Sequence, residues 1–461
     1  MNNSYDRRYA RYNKSFPPVY QCPLPESCLG GMNAECATGY KGPLCAVCKK
    51  GFYKIISSCQ KCPSLPWLIG QITIVLVAIA MVAIPVALGK RIKDRNGRSL
   101  TDIVLARLKI VIGFYQVTSG TLESFSYVKW PSALMQLVKY AKILQLNLLQ
   151  IAPVHCFSNG INVNSYTTLT LFTTIVVLTP VLAILIYWLN KFCQRKVYHL
   201  HPKESVYKSQ SFKEKCYRVV FLVLFLVYPA ACTIILQMLP PACHKICVDT
   251  KQESCQSFLR SDYSVECYTS TYKKYVMVPY LMTAFVTGFP ALTLFLLWKY
   301  QHNAKTGGTN IDEEASNEIS AGLSFLYENY SDNCWFWEVL ELLRKVILTS
   351  VLILIGGESR TNLGTAAIIS GLYAVLFAYY QPISDRFEHW LQLISLMATC
   401  ANMNVGILLM IPDQEISSGI GTQGDSTAIT ALLLMVNTFV TGMIVGKVIL
   451  QIPSLAFLKH L

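Results

Sequence analysis

Apolar runs recur about every 40 to 60 residues along the chain, separated by short polar stretches. A hydrocarbon core takes about 20 apolar residues to cross as a helix, and in lipid only helices and closed barrels satisfy their own backbone. The pattern predicts an all-α polytopic membrane protein of about nine transmembrane helices, at 67–88, 103–120, 167–189, 219–239, 276–298, 334–355, 364–380, 391–411 and 428–450. Pro279 and Pro290 predict kinks in the fifth, where each removes a backbone hydrogen bond. After Trp130 and Pro131, the amphipathic stretch 134–151 holds Lys139, Lys142 and Gln145 and is expected to lie on or dip into the outer leaflet.

The sixth run breaks the pattern. Its uncharged part, Val346 to Ile355, is about 15 Å of helix against a core about 30 Å thick. A spanning helix must therefore draw in Glu338, Glu341, Arg344 and Lys345. Ionisable groups at that depth are expensive and usually functional. Glu338, Glu341 and Lys345 share a face, and Glu341 to Lys345 is the favourable i, i+4 order. The alternative is a tilted or re-entrant segment whose charges sit in water. Arg107 and Lys109 lie one to two turns into the second helix, at the same depth and of opposite sign. Pairing across the two helices is expected, with Arg107 and Glu341 taken first and Lys109 as the substitute. Such pairs either line an ion path or hold the bundle together. Gln116, Asn402 and Asn404 are expected to make interhelical hydrogen bonds.

Sidedness follows from the cations. Lys90, Arg91, Lys93, Arg95 and Arg98 follow the first run, and 191–218 carries Lys191, Arg195, Lys196, Lys203, Lys208, Lys213, Lys215 and Arg218. The positive-inside bias puts both loops in the cytoplasm, the N-terminus outside and the C-terminus inside. The plasma membrane is the expected location, with an endomembrane as the alternative. With 53% hydrophobic and 14% charged residues, the net charge of +14 is explained by these loops and by anionic lipid, so nucleic acid is excluded as a partner.

Residues 1–63 form a polar, cysteine-rich module, and 64–461 the transmembrane domain. The module carries sequons at Asn2 and Asn13 and seven cysteines, Cys22, Cys28, Cys36, Cys45, Cys48, Cys59 and Cys62. Spacing alone leaves Cys45, Cys48, Cys59 and Cys62 open to zinc or to disulfides. The stretch CATGYKGPLCAVCKKGFYKIISSCQKC resembles the ephrin-receptor-like and EGF-like repeats of extracellular proteins, and that resemblance implies disulfides. Cys156 and the loop cysteines Cys243, Cys247, Cys255 and Cys267 bring the outer set to an even number, which fits full pairing. Cys193, Cys216, Cys232, Cys334 and Cys400 fall in spans or on the inner side. Residues 1–20 lack a signal-peptide core, so either the first span translocates the tail or an upstream region belongs to the chain.

The sequence holds no Walker loop, GxGxxG, GxSxG or HExxH, and its seven histidines are scattered; even the near pair His199 and His201 has i, i+2 spacing. Neither an enzyme nor a cofactor or metal site is expected. The segments ARLKIVIGFYQVTSGTLESFSYVKWPSAL and LYAVLFAYYQPISDRFEHWLQLISL, with the charged sixth helix, resemble TRP-like multi-pass proteins, closer to the fungal TRP-like and flavin-carrier type than to polycystins. The resemblance implies a nine-span bundle distantly similar to anoctamins and cation permeation or calcium-linked transport, although no TVGYG filter is present. The expected function is an ion channel or channel-like transporter with Glu338 and Glu341 facing the path. The rivals are a receptor or adhesion protein bearing a disulfide-rich ectodomain, and a lipid scramblase. Expected partners are membrane lipids, inorganic cations, an extracellular ligand or protein, and a second copy of the chain.

Overall fold

The computed structural model describes residues 35–55, 58–64, 100–125, 127–141, 164–196, 202–247, 255–306, 329–355, 360–410 and 422–458, with isolated positions between these ranges. Asn2, Asn13, most of the first run at 67–88 and the cations at 90–98 lie outside them.

The bundle is built from α1 (Leu100–Ser124), α2 (Ser132–Ala141), α3 (Ser165–Lys196), α4 (Pro202–Gln237), α5 (Ser270–Thr306), α6 (Trp337–Val346), α7 (Leu352–Ile355), α8 (Arg360–Tyr380), α9 (Arg386–Leu409) and α10 (Thr422–Leu458). Among the described residues six helices are long and apolar enough to cross a membrane: Ser165–Cys193, Cys216–Gln237, Ser270–Lys299, Arg360–Tyr380, Arg386–Leu409 and Thr427–Lys447. Most of the first expected run lies outside the described residues, and the second and sixth runs are not among the six. The second run is helical as α1, whereas the sixth is divided by a π-helical turn at Ile347–Val351. Several helices outrun the apolar windows that announced them. α4 starts at Pro202, well inside the basic loop, because residues such as Lys, Glu and Gln are good helix formers and need no lipid contact.

The amphipathic stretch meets protein as well as any leaflet. Leu134 and Val138, one turn apart on α2, are fully buried with Phe125, Leu348, Leu363, Met403 and Leu433. Trp130 lies beside Gly406 of α9, where a built Cβ would come within 2.6 Å of its ring. A side chain there would have to displace an indole, so α9 can approach only as glycine.

The loop between α4 and α5 holds a β-sheet that helical periodicity did not predict. Strands β5 (Cys243–Cys247), β6 (Cys255–Leu259) and β7 (Asp262–Glu266) follow the module's own hairpins, β1 (Tyr40–Lys41) with β2 (Val47–Cys48) and β3 (Phe52–Ile55) with β4 (Ser58–Lys61), and pair antiparallel in sequence order. β7 alternates buried and exposed residues, and Tyr263 and Val265 point into the protein. Leu259 and Val265 join Tyr272 of α5 and Phe172 of α3 in one core.

All twelve cysteines expected on the outer side form disulfides: Cys22–Cys28, Cys36–Cys45, Cys48–Cys59, Cys62–Cys156, Cys243–Cys267 and Cys247–Cys255. Cys45, Cys48, Cys59 and Cys62 therefore go to three separate bridges in place of one tetrahedral site. Cys62–Cys156 ties the module to the bundle across 94 residues of sequence. Lys54 Nζ donates to the Ser261 carbonyl (3.1 Å), and the Cys247 amide donates to the Tyr20 hydroxyl (2.7 Å). Module and β-sheet thus sit on one end of the bundle. Asn329 lies at the other, where its carbonyl accepts from the Ser384 amide (3.1 Å).

Two outcomes check this arrangement. Non-reducing peptide mapping should recover Cys62 joined to Cys156, and Cys62→Ser with Cys156→Ser should raise the protease sensitivity of the module at the cell surface; Cys62 joined to a cysteine within the module would refute the docking. Glycan should be found at Asn2 or Asn13 and be absent from Asn329, whose modification would turn the bundle over.

Candidate functional site

Residues Trp337 to Ile355 are helical throughout, so the charged and apolar halves of the sixth run form one rod of about 28 Å. Its π turn carries Thr349 and Ser350. Wider turns of this kind are rare and concentrate at functional sites. Glu338, Glu341, Arg344 and Lys345 are 1%, 7%, 4% and 4% exposed, so these charges lie between helices and not in water at a bilayer surface. Burial of this degree does not fit charges that stand in water.

Burial at that level is tolerable only with partners. Lys109 Nζ lies 2.6 Å from Glu338 Oε2, and the Tyr330 hydroxyl donates to the same oxygen (2.7 Å). Arg344 binds Glu341 through two parallel bonds, Nη2 to Oε1 (2.5 Å) and Nε to Oε2 (3.0 Å), and its guanidinium lies 5.2 Å over the Tyr373 ring. Lys345 Nζ is 4.0 Å from Glu341 Oε1. Burial, and then the neighbouring Glu338 carboxylate, push the Tyr330 phenol well above its ordinary range, so it remains a donor.

The expected Arg107 to Glu341 pair is absent. Lys109 makes the contact with α6, and Arg107 turns to α9, its Nε 4.0 Å from Glu388 Oε1 and its guanidinium 4.9 Å over Phe387. Two residues apart on a helix is about 200° of rotation, so both cations cannot face the same neighbour. Glu341 is instead neutralised within its own helix.

Two glycines let α1 and α6 come this close. A Cβ at Gly113 would lie 2.6 Å from Lys345 Nζ, and one at Gly120 would lie 2.7 Å from Thr349 Cγ2. Their spacing of seven places both on one face of α1. Along this seam Gln116 Nε2 donates to the Leu226 carbonyl (3.2 Å), Ser124 Oγ to the Thr349 carbonyl (3.0 Å), and Thr349 Oγ1 to the Lys345 carbonyl (2.8 Å). Thr233 of α4 completes a hydroxyl cluster with Ser350 (2.8 Å). Above it opens a cavity of about 210 Å³, with Gln116, Thr233 and Thr349 at its depth and Lys54, Arg260 and Glu123 nearer the module.

Of the remaining sequence-level candidates, Asn402 exchanges amide hydrogen bonds with Asn437 of α10 (3.0 and 2.9 Å), whereas Asn404 is exposed and bonds to the Cys400 carbonyl in its own helix. Asn404 therefore bridges no helices. Sequence reasoning missed Glu388, which lies at the start of a helix read as a turn. It also missed Tyr330, Tyr373 and the hydroxyl cluster, whose roles come from distant partners. The Gly113 to Gly120 spacing was the one readable sign of a close helix contact.

Comparison with known proteins adds a coarse frame. Residues 19–62 match the family described as Domain of unknown function (DUF7630), which lies inside the cysteine-rich module. A Toxoplasma gondii protein named Cysteine repeat modular protein A is 23% identical over 433 residues, covering 79% of this chain and 13% of that protein. Coverage of that extent cannot fit within 1–63, so the likeness runs on into the helices. The chain spans about an eighth of the length of this relative. No solved structure matches. A disulfide-rich N-terminal region on a membrane-spanning helical bundle is what these findings support.

The pairing predicts a coupling that can be measured. Lys109→Met or Glu338→Met alone should cost about 3 to 5 kcal/mol, since each leaves a buried charge without its partner, and the double change should recover most of the loss. Arg107→Leu with Glu341→Leu should be additive, because these residues do not touch. Thermal denaturation in detergent reads both cycles, and additivity for Lys109 and Glu338 would dissolve the seam.

Proposed function

We propose that this protein is an ion channel or channel-like transporter, captured with its path closed. One observation carries the reading: polar side chains recur along the contact of α1 with the sixth run, with Thr349, Gln116 and Lys345 between the cavity and the Lys109–Glu338 pair. Lys109 and Ser124 are about 22 Å apart along α1, most of the hydrocarbon thickness. A bundle that needed only cohesion could use apolar contacts at far lower desolvation cost, whereas polar lining between helices is how ions cross. The seam's charges are buried between helices, which favours an enclosed path over the lipid-facing groove a scramblase needs. Inorganic cations are the ions that the TRP-like resemblance implies.

A receptor or adhesion role is the second reading, supported by the module itself. It is stapled by Cys62–Cys156 and seated on the β5–β7 sheet, as a ligand-reading ectodomain coupled to a bundle would be.

Currents and calcium uptake in liposomes containing the purified protein, under stretch and voltage, separate the two. Wild type should conduct, and Thr349→Val, which removes the hydroxyl from the seam at nearly unchanged volume, should cut the current at least tenfold while the protein stays folded. Silence of folded wild type under every stimulus would leave the receptor reading standing.

A further inference from the structure

At the end of the bundle away from the module, exposed aromatic rings stand at one level. Ser165, which opens α3, donates its amide to Asp262 of β7 (2.9 Å), and Tyr166 packs on Tyr275 of α5 with ring centroids 4.4 Å apart. Both helices therefore leave the module end together. From that contact Trp188 lies about 33 Å along α3 and Trp298 about 35 Å along α5. Both are more than half exposed, as are Tyr379, Tyr380 and Trp390 beside the α8–α9 turn, which shares this end with Asn329. Rings with an apolar body and a polar edge collect at headgroup level, and the spacing matches a hydrocarbon core about 30 Å thick.

One corner of this girdle carries excess positive charge. Phe387 lies one turn before Trp390 on the same face of α9. The Arg107 guanidinium and the Lys447 ammonium stand 4.9 and 5.5 Å from the Phe387 ring centroid, which brings cations of α1 and α10 within about 10 Å of each other. Arg386 beside them is exposed. The carboxylates next to Phe387 are engaged: Asp385 accepts from the Glu388 amide (2.9 Å), and Glu388, buried, faces Arg107 at 4.0 Å. Lys447 forms no ion pair among the described residues.

We propose that this corner binds the phosphate headgroup of an anionic phospholipid from the leaflet away from the module, with Lys447 and Arg107 on the phosphate and Trp390 against the glycerol. Charge sets the class, because three cations meet two carboxylates here and a phosphate accepts from guanidinium and ammonium together. Position sets the source, because the corner lies in the aromatic girdle where headgroups stand. On the sidedness that the Lys/Arg bias predicts, this is the cytoplasmic leaflet, where anionic lipid collects. The headgroup would tie α1 to α10 two residues from Lys109. The inference rests on the membrane-spanning reading and not on conduction.

Native mass spectrometry of the full chain, released from nanodiscs of equal phosphatidylglycerol and phosphatidylcholine, tests this. Phosphatidylglycerol should be retained about tenfold over phosphatidylcholine, as one charge-assisted hydrogen bond would give. Lys447→Gln should remove that preference, whereas Lys273→Gln, the same change at an exposed position of the module end, should leave it intact. Should Lys447→Gln fail to fold, a photoreactive phosphatidylglycerol added to wild type carries the test, its label expected on peptides holding Phe387, Trp390 or Lys447. Equal retention of the two lipids would overturn the proposal, as would a preference that Lys447→Gln leaves intact or that Lys273→Gln removes as fully. Label confined to other peptides would overturn it too, and so would displacement of the lipid by inorganic phosphate, which would mark a site for free anions. None of these outcomes bears on whether the protein conducts.

Discussion

Charge buried between helices, where water cannot reach it, constrains this structure more than any other feature. Each of Glu338, Glu341, Arg344 and Lys345 would be prohibitive alone in a low-dielectric interior, so the positions of at least three helices are tied to one another through their partners. Lys109 binds α1 to α6, Arg107 brings α1 to α9, and Tyr330 folds the approach to α6 back onto Glu338. The glycines at 113 and 120 follow from that demand, because salt-bridge distance between side chains requires the backbones to approach closely. The π turn sits where this polar stretch gives way to the apolar end of the rod.

The end that carries the module is organised by covalent bonds and small cores. The module is too short to bury much apolar surface, and its own disulfides compensate. Its attachment rests on Cys62–Cys156 and on polar contacts to the β5–β7 sheet, with Tyr53 packed against the bundle core. The result is a chamber of mixed polar and apolar lining between two structures of different construction, a stapled cap and a helical bundle.

Much of this was legible in the chain alone. Helix existence followed from hydropathy, since lipid forbids an unsatisfied backbone and leaves few alternatives. The pairing of the cysteines followed from the module's resemblance to extracellular cysteine-rich repeats, and their even number fits it. The anomaly of the sixth run was legible too, because helical rise and bilayer thickness are fixed lengths. Connectivity was not: six bridges from twelve cysteines depend on which Cα atoms approach, and Cys62 reaches far along the chain to Cys156.

The sequence by itself determined that charges would be drawn into the bundle at matching depths on the second and sixth helices, because depth depends only on counting residues along an axis. Which charge meets which was decided by tertiary structure. Rotation about a helix axis is set by the neighbours it packs against, so Lys109 and not Arg107 faces Glu338, and Glu388, read as part of a turn, becomes the partner of Arg107. The strands at 243–266 and the cavity beneath the module were likewise decided in three dimensions. Both are made by residues whose partners lie far away in sequence, and no local period encodes a distant neighbour.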